Sequence, residues 1–351
     1  MSDAVAHLIF DVESIADGEL IARVRYGDEG LTPEEAVAKY QEERLEQTGS
    51  TFIPHTFMVP IAVVIAKVSK DFRLLDIKSL DEPGFRPHMM TKHFWQGWEA
   101  YNMPQWVTFN GRTFDIPLME LAAFRFGLSV PKWFDESGYK SRRNRFSTAS
   151  HLDLQELLTN FSAARFNGGL NLAAQVLGKP GKMGLSGDQV QSYYDRGELM
   201  AISDYCRCDV LDTYFVFLRS MVMTGKIDLT RETELVAIAK QWIESQQETC
   251  QACADYLDKW DDWHNPWQSD EDAVLHAATQ HPDTQDNAAQ DAAIQDAASQ
   301  TATVQGVDDV NGVSKEETKA TTDASPVGSN ASAATSDTDQ PKSDAAPSKP
   351  A

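Results

Sequence analysis

The 351 residues of this chain include 53 acids and 31 bases, which gives a formal net charge of −22. This balance excludes a protein that coats nucleic acid through bulk positive charge, although it allows a local groove that takes in one strand end. The longest apolar run, residues 59–68, is far shorter than the roughly 20 residues needed to cross a bilayer. No basic region followed by an apolar core, the pattern of a signal peptide, is visible near the N-terminus. The sequence therefore predicts a soluble cytoplasmic protein without a membrane segment.

The composition changes sharply after Trp267. Residues 268–351 contain no Phe, Tyr or Trp and carry 15 acids against 4 lysines. Such a segment cannot bury enough apolar surface to offset the entropy of ordering, so we predict a disordered acidic tail. Residues 1–267 hold all 8 tryptophans and are long enough for one well-packed α/β domain.

Strand and helix patterns alternate along the first part of the chain. A first strand is predicted at 8–13, and helical patterns at 18–26 and 32–47 follow it. The stretch 27–57 is interpreted as an insertion or flap between the first two strands. The next predicted elements are strands at 59–68 and 72–79, a helix at 91–100, a strand at 106–109 and a helix from Asp115.

Helical patterns dominate the second part. Residues 128–146 are predicted to be irregular, and 151–158 to pass from a strand into a helix. Further helices are predicted at 171–177, 189–194, 198–223 and 230–260. Strands that gather early, with helices between and after them, indicate an α/β fold in which helices flank a mixed sheet.

Two acids, Asp11 and Glu13, follow the apolar start of the first strand. Side chains two apart on a strand point to the same face, so these carboxylates are expected to lie side by side. They would repel each other unless a cation lay between them, and hard cations such as Mg²⁺ prefer oxygen ligands. A strand that simply runs into a polar loop would explain the same two residues.

Two further sites place acids at helical positions. A strand predicted to end at Phe109 is followed by a turn, and Asp115 comes in the first turn of the next helix, where an acid also favours helix initiation. Tyr205 and Asp209 are four residues apart on a later helix and so share one face. An aromatic residue and an acid at that spacing also occur by chance on many amphipathic helices.

The order of these sites, D-x-E, then N-x-x-x-F-D, then Y-x-x-x-D, resembles the three exonuclease motifs of the DEDD superfamily. Because it contains a tyrosine, the third motif resembles that of the DEDDy branch, which includes the proofreading domain of family B DNA polymerases. Residues 151–154, the loop 178–184 and the sequence after Asp209 extend the resemblance over about 5–265. The resemblance is closer still to stand-alone bacterial proteins described as predicted 3′–5′ exonucleases related to this proofreading domain. The resemblance implies a ribonuclease H-like fold.

The resemblance also implies roles for the motif residues. Asp11, Glu13, Asp115 and Asp209 would hold two Mg²⁺ or Mn²⁺ ions, and Tyr205 would orient the attacking water. An unperturbed tyrosine titrates near ~10, so Tyr205 is not expected to act as a strong base. The implied reaction cleaves phosphodiester bonds from the 3′ end of single-stranded DNA, or of RNA, and releases nucleoside monophosphates.

Other residues are candidates for substrate binding. Asn110 and Phe114 could position the terminal nucleotide, although Asn110 could equally serve only to shape its turn. Lys182 could contact a phosphate or be a solvated loop lysine. A basic, aromatic-edged loop is a candidate strand-binding edge and contains Arg142, Arg143 and Arg145.

Some residues have both a functional and a structural interpretation. Asp212 could be an outer carboxylate of the site, although an exposed helix acid explains it more simply. Trp260, Trp263 and Trp267 could stack on bases or pack onto the core. Cys206 and Cys208, with the pair 250 and 253, could hold zinc, although reduced and partly buried thiols are the simpler reading.

Two other classes of function compete with a nuclease. One is a non-catalytic module of nuclease fold that binds nucleic acid or a repair or replication partner; four intact acids count against it, since a scaffold has no need of a repulsive carboxylate cluster. The other gives the main role to the acidic tail, as a tether for a basic protein partner.

Overall fold

The computed structural model of this protein describes residues 4–135, 141–185 and 187–267, and of Asp188 only the backbone. The predicted acidic tail, 268–351, lies outside the described residues. Its disorder and its binding of a partner therefore stay predictions. None of the helices in the described ranges has the length and apolar character that a membrane span requires.

The centre of the protein is a mixed sheet with five strands in the described part of the chain. Strands β1 to β5 are Val5–Ala16, Met58–Ser69, Leu74–Ser79, Gln105–Thr108 and His151–Asp153. Their spatial order is β3–β2–β1–β4–β5. β1 runs antiparallel to β2 and parallel to β4, and it therefore occupies the middle of the sheet.

Helices cover both faces of this sheet. Helices α1 to α10 are Gly18–Arg25, Pro33–Thr48, Pro87–Ala100, Asp115–Arg125, Leu154–Leu158, Gly169–Gln175, Val190–Asp195, Leu199–Met223, Leu229–Gln246 and Gln251–Asp258. The predicted fold class, an α/β mixed sheet flanked by helices, is therefore confirmed.

Side chains of β1 alternate between two core layers. Leu8, Phe10 and Val12 pack with residues of α3 and α4 on one face. Ile9 packs with residues of α8 on the other face. Asp11 follows Ile9 at the same period of two, so its side chain is directed to the layer of α8 rather than to solvent.

Two predicted elements have different bounds in the structure. The first strand does not end after Glu13, because β1 pairs with β2 as far as Ala16, with a register shift at Glu13/Ser14. The single helix predicted at 230–260 is wrong. The chain turns after α9, and Cys250 caps α10 by accepting a hydrogen bond from the Cys253 N–H at 3.3 Å. Apolar residues of both helices pack into the same core cluster, so the apolar pattern continues along the chain and did not show the break.

The insertion, 27–57, shares a small core with the preceding helix α1. Ile21 of α1, Tyr40 of α2 and Ile53 of the following loop form part of this third apolar cluster. The start of α2 follows the sequence signal: Thr32 accepts a hydrogen bond from the Glu35 N–H, and Glu35 accepts one from the Thr32 N–H. The insertion is therefore a folded unit with a defined position on the sheet.

Trp106 of β4 is the centre of the aromatic layer beneath α3. It is fully buried and stacks on Phe94, with ring centroids 4.4 Å apart. We expect Trp106→Ala to lower the free energy of unfolding by about 3–5 kcal/mol, because it leaves a large cavity. Trp267→Ala, at a site that is 62 % exposed, should change it by less than about 0.5 kcal/mol. Denaturant unfolding of both variants tests this, and equal effects would contradict the packing described.

Candidate active site

The two acids of β1 lie in the middle of the sheet beneath α8. Glu13 is only 9 % exposed, and Asp11 is partly buried. The predicted side-by-side placement of these carboxylates is what the strand geometry produces. They are, however, held within a continuing strand and not at its exposed end.

Asp115 reaches the same cleft from the turn between β4 and α4. β4 ends at Thr108, and Asn110 then adopts a left-handed backbone conformation with φ 66°. Gly111 follows, where a Cβ atom would lie 2.6 Å from the Thr108 side chain, so only glycine fits. The Ile116 N–H donates to the Gly111 carbonyl, which starts α4 with Asp115 as its first residue.

Asp153, at the end of β5, holds this turn. Its carboxylate accepts hydrogen bonds from the backbone N–H groups of Asn110, at 3.0 Å, and Arg112, at 2.9 Å. It also caps α5 through the Gln155 N–H. The sequence marked residues 151–154 only as part of the family resemblance. The structure gives Asp153 a definite contact role, which is to fix the loop that presents Asp115.

The Asp153 interaction yields a prediction about stability. Asp153→Asn keeps the size of the side chain but turns an amide group towards N–H donors in a buried site. We expect it to lower the free energy of unfolding by about 1–3 kcal/mol. The matched control is Asp195→Asn, at an exposed position on α7, which should unfold like the parent. Equal unfolding midpoints for the two variants would contradict the role of Asp153.

Asp209 comes to the site from α8, one helical turn after Tyr205. Carboxylate oxygens of Asp11, Glu13 and Asp209 all lie within 4.8 Å of one another. In the described residues this is the only group of His, Cys, Asp and Glu side chains close enough to hold a metal ion. Asp115 lines the same cleft but is not part of that close group. Strand, turn and helix thus bring all four acids into one cleft.

Burial and mutual repulsion raise the pKa values of these four carboxyl groups. Burial raises the pKa of Asp11 to about 6, against a smaller lowering effect of the Cys206 thiol. Burial also raises the pKa of Glu13 well above its usual range, and the charges of Asp11, Asp209 and Asp115 raise it further. The pKa values of Asp115 and Asp209 are raised for the same reasons, burial first and the Asp11 charge second. A bound cation would remove the repulsion that raises them.

Tyr205 faces the same carboxylates. Its pKa is raised above the usual range, chiefly by burial and then by the charges of Asp209, Glu13 and Asp11. Its hydroxyl therefore keeps its proton at neutral pH and acts as a hydrogen-bond donor. Cys206, which the sequence did not single out for the site, places its Sγ 3.3 Å from the Asp11 carbonyl and 3.5 Å from its carboxylate.

The acids form one side of an open cleft of about 520 Å³. Asn110, Thr113 and Phe114 line it, as do four residues of the insertion that the sequence did not identify: Arg44, Phe52, Pro54 and His55. Asn110 also shapes its turn, since its side-chain oxygen accepts a hydrogen bond from the Thr113 hydroxyl at 2.7 Å. Phe52 lies in a loop. The two-residue and 3.6-residue apolar periods that identify strands and helices give no information about a loop side chain, so the sequence pattern could not reveal it.

Lys182 and Asp212 lie near Asp209 but in different surroundings. Lys182 is exposed, and its charge lowers the pKa of Asp209. Asp212 is fully buried and accepts a hydrogen bond of 2.6 Å from the Tyr256 hydroxyl. The reading of Asp212 as an exposed helix acid is therefore wrong, and burial raises its pKa to about 7.

The basic loop and the late tryptophans lie away from the cleft lining. Arg143 forms two hydrogen bonds of 2.8 Å with Glu120, and Arg142 contacts the Met103 carbonyl at 3.4 Å. Arg145 lies over its neighbour Phe146. None of these arginines lines the acidic cleft, so their role at a strand-binding edge stays a prediction. Trp260 packs against the core, Trp263 lies beside Arg219, and Trp267 is exposed.

The donor set of the cleft fits a hard divalent cation. Three carboxylates meet within 4.8 Å, in surroundings where their negative charges are costly without a counter-ion. Mg²⁺ and Mn²⁺ favour oxygen donors of this kind. The four cysteines are free thiols, and three of them are buried. The structure thus offers an oxygen-rich candidate metal centre at the middle of a mixed sheet.

Comparison with known proteins assigns the chain to a family. A family of predicted 3′–5′ exonucleases related to the exonuclease domain of PolB matches residues 50–260. The chain belongs to this family, as the sequence motifs indicated. Residues 1–49, which contain β1 and most of the insertion, lie outside the matched range.

Among solved structures, the family B DNA polymerase of the hyperthermophilic archaeon Pyrobaculum calidifontis is similar to this chain. The two are 13 % identical, with a TM-score of 0.40, over 62 % of this chain and 24 % of the polymerase chain. This chain therefore spans only about a quarter of that polymerase. No curated protein matches the chain.

Proposed function

We propose that this protein is a metal-dependent 3′–5′ exonuclease that hydrolyses phosphodiester bonds at the 3′ end of single-stranded DNA, with RNA ends as the nearest variant. The products are nucleoside monophosphates. The nuclease domain comprises residues 1–267, with 27–57 as an insertion, and it acts in the cytoplasm. The acidic segment 268–351 is a tail that could bind a basic protein partner.

The observation that supports this function is the convergence of Asp11, Glu13 and Asp209, with Asp115 beside them, in one cleft. A buried cluster of like charges destabilises the fold, so its presence calls for a cationic ligand. Asp11, Glu13 and Asp209 would hold one Mg²⁺ or Mn²⁺ ion, and Asp115 would contribute to a second. Bound divalent ions would lower the pKa of a water nucleophile and stabilise the departing 3′ oxygen.

Asn110 and Phe114 of the cleft lining, with Tyr205 and Lys182 close to Asp209, would bind and orient the substrate. The Tyr205 hydroxyl, which keeps its proton, would donate a hydrogen bond that aligns the attacking water with the phosphorus. Phe114 would stack on the terminal base, and Asn110 would form hydrogen bonds with the terminal nucleotide. Lys182 would offset the negative charge of the scissile phosphate near Asp209.

The test is a cleavage assay on the full chain with 5′-labelled single-stranded DNA, duplex DNA and RNA, in Mg²⁺, Mn²⁺ or EDTA. A ladder that shortens from the 3′ end in metal, and is absent in EDTA, supports the proposal. A chain truncated after Trp267 should retain the ladder if the tail serves only a partner. No cleavage of any substrate in either metal would overturn the proposed function.

A further inference from the structure

The insertion supplies an aromatic wall opposite the acids. Phe52 lines the cleft although it is 51 % exposed, and its ring lies 5.8 Å from that of Phe114, tilted by 52°. The His55 ring also meets the Phe114 ring, edge to face, at 6.3 Å between centroids. An exposed phenylalanine at the mouth of a polar cleft offers a face on which a nucleic acid base can stack.

Neighbouring contacts hold Phe52 in this position. Gly49 ends α2 in a left-handed conformation, and the Phe52 N–H donates to the Ser50 hydroxyl at 3.2 Å. The next residue, Ile53, is buried in the core of the insertion. Burial of Ile53 anchors the loop beside Phe52, whose own side chain is exposed at the cleft.

Arg44 adds positive charge to the same wall. It lines the cleft, and its Nε donates to the Phe52 carbonyl at 3.2 Å. Within the described ranges, Arg44 takes part in no ion pair, whereas Arg25 of the preceding helix pairs with Glu43. A guanidinium group without a carboxylate partner, in a cleft with an acidic floor, is suited to a phosphate.

We infer that Arg44 and Phe52 form a subsite of the insertion for single-stranded nucleic acid: Phe52 stacks on a base near the 3′ end, and Arg44 binds a backbone phosphate. The inference rests on the proposed function, because it names the part of the chain that holds the strand while the acids act. It assigns the insertion to substrate binding and gives it a role outside the chemical step.

Binding without turnover tests the role of Phe52. The full-length chain with Glu13→Gln as a non-cleaving background is titrated with 5′-fluorescein oligothymidylate in Mg²⁺. Phe52→Ala should weaken binding about fivefold to a hundredfold, as expected for loss of one stacked base. Phe52→Trp should bind like the parent. The control Phe124→Ala, at a site on α4 that is 87 % exposed, should have no effect.

The salt dependence of the same titration tests Arg44. Arg44→Ala should reduce the slope of log K against log salt by about 0.7, the value for one phosphate contact on a single strand. Arg44→Lys, which keeps the charge, should preserve the slope, and so should the control Arg23→Ala on the exposed face of α1. Thermal unfolding of each variant identifies any loss that comes from misfolding.

The outcomes separate this inference from the proposed function. Weaker binding by the alanine variants with unchanged controls supports the subsite, even if the parent chain cleaves nothing. A parent that cleaves normally, with Phe52→Ala and Arg44→Ala binding as tightly as it does, overturns the subsite alone. Equal losses in variants and controls would overturn it as well.

Discussion

Asp11→Asn and Asp209→Asn are each expected to lower the rate of 3′-directed cleavage by more than about a hundredfold. Loss of a side chain that merely supports a metal ligand typically costs 10- to 100-fold, so loss of a ligand should cost more. Both residues belong to the group of carboxylates within 4.8 Å. Cleavage of 5′-labelled single-stranded DNA in Mg²⁺ measures the rate.

The same two substitutions should make the metal-free protein more stable. Each removes a negative charge from a buried cluster in which burial and repulsion raise the carboxyl pKa values. The expected gain in the free energy of unfolding in EDTA is on the order of 1–3 kcal/mol. Asp258→Asn, at the exposed end of α10, is the control for both rate and stability. A variant that cleaves like the parent would remove its residue from the proposed site.

The second large effect is a dependence of metal-induced stabilisation on pH. In the metal-free protein the pKa of Asp11 is raised to about 6, and those of Glu13, Asp115 and Asp209 are raised as well. A carboxyl group whose pKa is raised by folding stabilises the fold fully below its unfolded value of about 4. That stabilisation is lost as pH rises through the folded pKa. The metal-free protein should therefore lose stability as pH rises from about 4 through the folded pKa of Asp11 near 6, and further as the other three carboxyl groups ionise.

A divalent cation should reverse this loss, because it binds the charged carboxylates of the folded state. At 100 times Kd it adds about 2.7 kcal/mol, which corresponds to a rise in Tm of about 5–10 °C for a domain of this size. We expect that rise at pH 8 and little of it at pH 5.

His151, whose pKa is lowered to about 3 by burial and then by Arg112, destabilises the fold as pH falls below 6.5 with or without metal. The difference between Mn²⁺ and EDTA cancels its contribution, and an equal difference at both pH values would contradict the cluster.

Short-range rules predicted the sheet and the placement of the motif residues on strand, turn and helix, whereas their grouping into one site was implied by the family resemblance. Alternation along β1 places Leu8 and Phe10 on one face and Ile9 and Asp11 on the other. The turn at Asn110 and Gly111 determines where Asp115 lies. Asn110 adopts a left-handed backbone conformation there, and the space at position 111 admits only glycine. Spacing on a helix gives Tyr205 and Asp209 one face.

Residues whose environment depends on distant segments escaped prediction. Asp212 is buried and accepts a hydrogen bond from Tyr256 of α10, 44 residues later. Phe52 belongs to a loop whose position depends on the packing of Ile53 in the insertion. The ion pair between Arg143 and Glu120 of α4 also joins distant segments, and the role of Arg143 at a strand-binding edge stays a prediction. Local pattern carries none of these tertiary contacts.

The most direct test of the central claim is the location of bound metal. Crystals of the full chain soaked in Mn²⁺ should show anomalous density in contact with the carboxylates of Asp11, Glu13 and Asp209, and that density should be lost in Asp209→Asn. Mn²⁺ bound elsewhere on the chain, with the cleft empty at millimolar metal, would contradict the account.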